Sequence, residues 1–114
     1  MTLEVNGKTI ATTDQGYLEN LEDWNEDVAT AIAAAEDGIG ELTERHWDVI
    51  KFLRDEYLNN AGNQPMERAI TKHMSKVWGE KLKSKDLYRL FPGAPSKQGL
   101  KVSGLPATTR KGGY

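Results

Sequence analysis

Apolar residues along this chain fall into strand-like pairing once and into helical spacing four times. Leu3-Glu4-Val5-Asn6-Gly7-Lys8-Thr9-Ile10 sets an Asn-Gly pair between two short β-prone runs, the strongest short-range signal for a hairpin. Asp23 with Glu26 three residues later reads as the start of a first helix running to about Glu36, with Trp24, Val28, Ala31, Ile32 and Ala35 on one stripe. Thr43 caps a second helix carrying Trp47, Ile50, Leu53 and Tyr57 on one side, widened by Val49 and Phe52. Pro65 suits the first turn of a third helix through Met66, Ile70, Met74, Val77 and Trp78, which Gly79 ends. Ser84 then caps a short fourth helix through Leu87, Tyr88 and Leu90, before Phe91-Pro92.

From Pro92 onward the pattern is lost. Twenty-three positions hold three Pro, five Gly, four bases and no acid, which reads as an extended arm rather than a helix. Leu100, Val102 and Leu105 would pin this arm loosely to the body. The expected fold is therefore mainly α. It comprises a compact helical body over residues 1–92, with an N-terminal hairpin and a helix-turn-helix-like core, and a flexible arm over residues 93–114.

A chain of 114 residues with 38% hydrophobic content supports one small core. It has no run of about 20 apolar residues and no secretion signal at Met1-Thr2-Leu3-Glu4, so a cytoplasmic protein without a membrane partner is expected. Its net charge of −2 conceals an imbalance: residues 1–44 carry eleven carboxylates against Lys8, net −10, whereas residues 45–114 are net +8. Either the basic half docks an acidic partner, or the halves attract one another across the fold. Arg68, Lys72 and Lys76 recur every four residues as a basic ridge on the third helix, the residues that a nucleic-acid or acidic-partner contact would use. Pro65-Met66-Glu67 is nevertheless a poor set of base readers, and a charged face is what any surface helix needs.

Cysteine is absent, which removes disulfides, thiolate metal sites and thiol nucleophiles. His46 and His73 lie on different helices without an acidic third ligand, so no metal and no cofactor are expected; His46 reads as an ordinary first-turn residue and His73 as a boundary residue. No serine lies in a Gly-x-Ser-x-Gly elbow, and Gly99 and Gly104 have phosphate-loop separation but are followed by Leu105-Pro106.

The segment Leu90-Phe91-Pro92-Gly93-Ala94-Pro95-Ser96-Lys97-Gln98, continued by Ser103-Gly104-Leu105-Pro106, resembles the DsrC/TusE family of sulfur-relay proteins. So do Gly16-Tyr17-Leu18 before Trp24, the run from Leu42 to Arg54, and Pro65 before the Arg68 helix, in the same order. The resemblance covers nearly the whole chain. It implies a small helical protein with an N-terminal hairpin and a C-terminal arm, relaying sulfur toward tRNA thiolation or working with dissimilatory sulfite reductase. In that family the chemistry sits on a penultimate arm cysteine, joined in DsrC-like members by a second one eleven positions upstream. Here those positions hold Lys111 and Leu100. Persulfide carriage needs a thiolate that can attack and leave, and neither residue supplies one. The expectation is a chain that is no enzyme, without catalytic residues: a natural paralogue of regulatory or binding type, or an engineered cysteine-free variant. It would dock a sulfur-relay or sulfite-reductase-type partner through arm residues Lys97, Gln98, Leu100, Lys101, Gly104, Leu105, Pro106, Arg110 and Lys111. The alternatives are a nucleic-acid-binding regulator and a sulfurtransferase named by similarity.

Overall fold

A computed structural model of the chain describes residues 2–36 and 38–107. Strands β1 (Thr2–Val5) and β2 (Lys8–Ala11) pair antiparallel with Leu3 opposite Ile10 and Val5 opposite Lys8. Asn6 and Gly7 both take positive φ, 52° and 79°, as a tight two-residue hairpin turn requires. The pairing puts Leu3, Val5 and Ile10 on one face, which packs against α1 (Glu26–Ala35). Asn6 also donates from Nδ2 to Asp27 Oδ2 at 2.9 Å, tying the turn to that helix.

α1 starts later than the Asp23 cap predicts. Leu21–Asp23 form a single 3₁₀ turn, Trp24 is extended, and Asn25 is the N-cap, accepting from Val28 N at 2.9 Å. Trp24 is drawn out of the helix because its indole is engaged with the C-terminal segment, described below. The buried stripe shifts accordingly to Val28, Ala29, Ile32 and Ala33.

α2 (Glu44–Asn59) begins at the predicted Thr43 cap. His46, read from sequence as an ordinary first-turn residue, is 5% exposed and does more than that reading allows. Its Nδ1 accepts from Thr43 N at 2.9 Å and its Nε2 lies 2.8 Å from Leu90 O, while its ring meets Phe91 edge-on. A neutral imidazole protonated at Nε2 satisfies both bonds and so couples the α2 N-terminus to the end of the fourth helix.

α3 (Glu67–Trp78) follows a buried Pro65, with Met66 rather than Pro65 at its N-terminal boundary, and ends at Gly79. Ile70 and Met74 are buried as the stripe predicts, but Val77 is 54% exposed. Trp78 takes the inward position instead, donating from Nε1 to Asp48 Oδ2 at 2.8 Å with the Arg45 guanidinium 4.5 Å from its ring centroid. α4 (Ser84–Tyr88) is one short helix that buries Leu87.

The largest departure lies at the expected arm. Pro95–Val102 form a helix, α5, packed against α1, α2 and α3. Leu100, Val102 and Leu105 are 1%, 0% and 0% exposed, so they are core residues and not loose anchors. Each such side chain contributes about 1.5–3 kcal/mol by burial, which places this stretch among the main sources of stability. Gly99 is where α5 meets α2: a Cβ there would lie 2.8 Å from Leu53 Cδ1. Residues 108–114, the rest of the expected arm, lie outside the described residues.

His46→Ala removes both bonds at once and leaves Leu90 O without its donor. An equilibrium urea titration is expected to show a loss of about 1–3 kcal/mol; an unchanged midpoint would show that the imidazole couples nothing.

Candidate functional site: the seat of the C-terminal segment

The last four carbonyls of a helix lack intrahelical donors and must be satisfied by other means. At the end of α5 each one is. Ser103 N donates to Gly99 O, Leu105 N to Leu100 O at 3.0 Å and Gly104 N to Lys101 O at 3.1 Å, the paired bonds of a Schellman stop with Gly104 at φ 72°. The next two carbonyls take side-chain donors from elsewhere in the chain: Trp24 Nε1 reaches Val102 O and Arg54 Nη1 reaches Ser103 O, each at 2.8 Å. Gln64 Nε2 then holds Pro106 O at 3.0 Å. The Arg54 guanidinium lies 4.0 Å from the Trp24 ring centroid, so donor and cation stack on each other. Burial lowers the Arg54 pKa from its ordinary value, but the group stays a cation at neutral pH.

Gly104 makes this seat possible. A Cβ built on it would stand 2.3 Å from Trp24 Cδ1, so the indole lies directly against the backbone of the stop. The buried Ser103 Oγ has no hydrogen-bond partner.

A second set of contacts joins α5 to the C-terminal end of α1. Lys101 Nζ pairs with Glu36 Oε2 at 3.2 Å and sits 5.2 Å from the Tyr17 ring centroid, with its side chain 16% exposed. Gln98 accepts from Gly93 N at 2.7 Å and donates to Glu36 Oε1 at 3.4 Å, while Tyr17 OH donates to Lys97 O at 3.4 Å. Burial, with a smaller contribution from the Glu36 charge, raises the Tyr17 pKa above its ordinary value. These groups border an open cleft of about 290 Å³.

The structure thus divides the predicted docking residues. Gln98, Leu100, Gly104 and Leu105 are buried, Lys101 and Pro106 are partly exposed, and Lys97 is exposed. Arg110 and Lys111 lie outside the described residues. Arg68, Lys72 and Lys76 are all exposed along α3, as their spacing predicts. Trp24, Arg54, Gln64 and Glu36, which hold the segment, were missed as site residues. The signal for them was the Gly104-Leu105 helix stop, which read as arm once α5 was not foreseen. Lys101–Glu36 joins the acidic and basic halves of the sequence, whereas Arg45–Glu80 and Arg89–Asp86 lie within the basic half. Among the described residues, no three His, Asp or Glu side chains are grouped to hold a metal ion, and no helix is long and apolar enough to cross a membrane.

This architecture, a helical body closed by a seated C-terminal segment, is shared with known sulfur-metabolism proteins. The oxidized gamma-subunit of dissimilatory sulfite reductase (DsrC) from Archaeoglobus fulgidus superposes with a TM-score of 0.88 at 34% identity, over 97% of this chain and 99% of that one. Allochromatium vinosum DsrC gives 0.82 at 46% identity, over 96% of each chain. The sequence matches the family described as DsrC like protein over residues 4–110, and the chain belongs to that family. It is 47% identical over 105 residues to the sulfurtransferase TusE of Sodalis glossinidius, covering 91% of this chain and 94% of that protein. Against the sulfurtransferase TusE of Yersinia pestis the figure is 46%, with the same coverage.

These relatives correct one expectation. The missing cysteines led the sequence reading to a protein that is no enzyme, yet relatives at this identity are named sulfurtransferases, and lack of a thiol does not by itself show the absence of an enzymatic part. None of these names concerns nucleic acid, and the helix-turn-helix reading gains no support from them.

Gly104→Ala should cost well over 2 kcal/mol, since it combines a positive φ with a collision. Gly79→Ala is the internal control: φ there is 63° and nothing lies within 4 Å of the new Cβ, so about 1 kcal/mol is expected. Denaturation midpoints of the two variants compare them directly; equal losses would show that Trp24 yields to the new methyl.

Proposed function

We propose that this DsrC-like protein docks on a protein partner of sulfur metabolism through its C-terminal segment, occupying the position that thiol-bearing members of the family use. The observation that carries this reading is the seat itself. Trp24, Arg54 and Gln64 fix the backbone of this segment as far as Pro106 O. A backbone fixed in this way limits the conformations a partner must select among, which lowers the cost of association. The absent cysteine supports the regulatory side of the reading, because a sulfur atom in transfer is held on a thiol and this chain has none. Bound to a relay partner, it competes with relatives that carry one.

Two measurements test this. Intact mass after incubation with a persulfidated donor protein is expected to show no sulfur increment of about 32 Da. The full chain, immobilised, is expected to capture a sulfur-metabolism protein from extract of a bacterium that encodes a TusE relative, with the bound proteins identified by mass spectrometry. The captured protein should be released by added TusE, and capture should drop about tenfold or more when Lys97, Arg110 and Lys111 are together changed to Glu. Capture indifferent to both would remove the reading.

A further inference from the structure

Between the start of α1 and the outer side of α2 lies a trough that the described residues leave open. Its two ends, about 380 and 490 Å³, share Glu26, Trp47 and Lys51 and are therefore one continuous depression. Trp24, Trp47 and Leu58 line one end and Leu42 the other. Leu58 is 52% exposed, one of two large apolar side chains at the surface among the described residues. An isolated exposed leucine needs no account, but one that continues a trough with two tryptophans does.

The rim has a sign. Glu26, Glu44 and Asp55 are exposed along it, and Lys51 is the exposed base among them, since Arg54 is turned to Ser103 O and the Trp24 ring. Eleven of the chain's seventeen carboxylates fall in residues 1–44, Glu26 and Glu44 of this rim among them. From Glu44 to Leu58 the outer side of α2 spans fifteen residues, or about 21 Å, matching roughly four turns of a second helix.

We propose that this trough docks a basic amphipathic segment of a partner protein, with its apolar face on Trp47 and Leu58 and its cationic side chains on Glu26, Glu44 and Asp55. Amphipathic helices bind grooves in this way, with charge complementarity setting register and partner choice. Trp24 and Arg54 line the trough and also hold Val102 O and Ser103 O, so a partner seated here touches the residues that fix the C-terminal segment. The proposal rests on the docking reading for its biological setting, but not for its test.

The probe is a synthetic amphipathic Leu/Lys helix, with a Leu/Glu helix of the same length as its counterpart, titrated into the full chain while tryptophan emission is followed. Two of the three tryptophans line the trough, so binding of the Leu/Lys peptide should shift the emission, and the Leu/Glu peptide should not bind. Glu26→Lys with Asp55→Lys should weaken binding about tenfold or more, Lys51→Glu should tighten it a few-fold, and Leu58→Gln should weaken it a few-fold. Glu19→Lys, at an exposed acid that does not line the trough, should change it less than about twofold. An equal effect of Glu19→Lys, or none of Leu58→Gln, would reduce the binding to general charge attraction and overturn the proposal. So would sedimentation showing a second copy of the chain filling the trough. If the trough variants leave peptide binding unchanged while the Lys97, Arg110, Lys111 variant still loses its captured partner, the trough proposal falls and the docking reading stands.

Discussion

The contact on which the rest of this structure depends is the one between Trp24 and the backbone of residues 102–104. It joins the stretch before α1 to the stop after α5, 78 positions apart in sequence. A tryptophan brings a large apolar surface and one donor, and both are used: the ring lies on Gly104, where a side chain would not fit, and the N–H satisfies Val102 O. Without that donor a carbonyl at a buried helix end would be left unpaired, at a cost of about 1–3 kcal/mol. With it, the chain closes on itself, and α5 is held against α1, α2 and α3.

This closure explains several local features that look unrelated. α1 begins at Asn25 because Trp24 must stay extended to reach α5, and the helix face moves with its start. Arg54 turns to the Trp24 ring and Ser103 O and is partly buried as the consequence. Desolvating a guanidinium is unfavourable unless its donors are used. Here a carbonyl and an aromatic face together offset that cost. At the opposite end, Lys101 and Gln98 converge on Glu36, so α5 is fixed to both ends of α1.

Much of the fold was legible in the sequence, where a single residue type decides the local geometry. Asn6-Gly7 dictates the turn, Thr43 the start of α2 and Gly79 the end of α3, and each acts through its own backbone. α5 was not legible because the residues that define it, Pro95, Gly99 and Gly104, are those that ordinarily mark irregular chain. Pro95 is compatible with a first helical turn, and Gly99 is tolerated because the close approach of Leu53 leaves no room for a Cβ. That approach is tertiary and leaves no periodic trace. His46 escaped for a related reason: its partner Leu90 O is a backbone atom 44 residues away, and no side-chain pattern records it.

The family resemblance and the packing bear on the missing thiols in different ways. Leu100 stands where the resemblance places a cysteine, yet it is 1% exposed in a helix that the fold relies on. A leucine there fills core volume that a smaller side chain would leave partly empty, and cavities are costly in proportion to their size. Leu100 therefore serves the body as packing, whatever chemistry that position carries in relatives. Lys111, the other position that the resemblance marks, lies outside the described residues. A chain without thiols thus keeps an intact core at the one of these two positions that is described. What such a scaffold retains is a C-terminal segment fixed as far as Pro106 beside an acidic, tryptophan-lined trough. Neither feature requires a thiol in this chain.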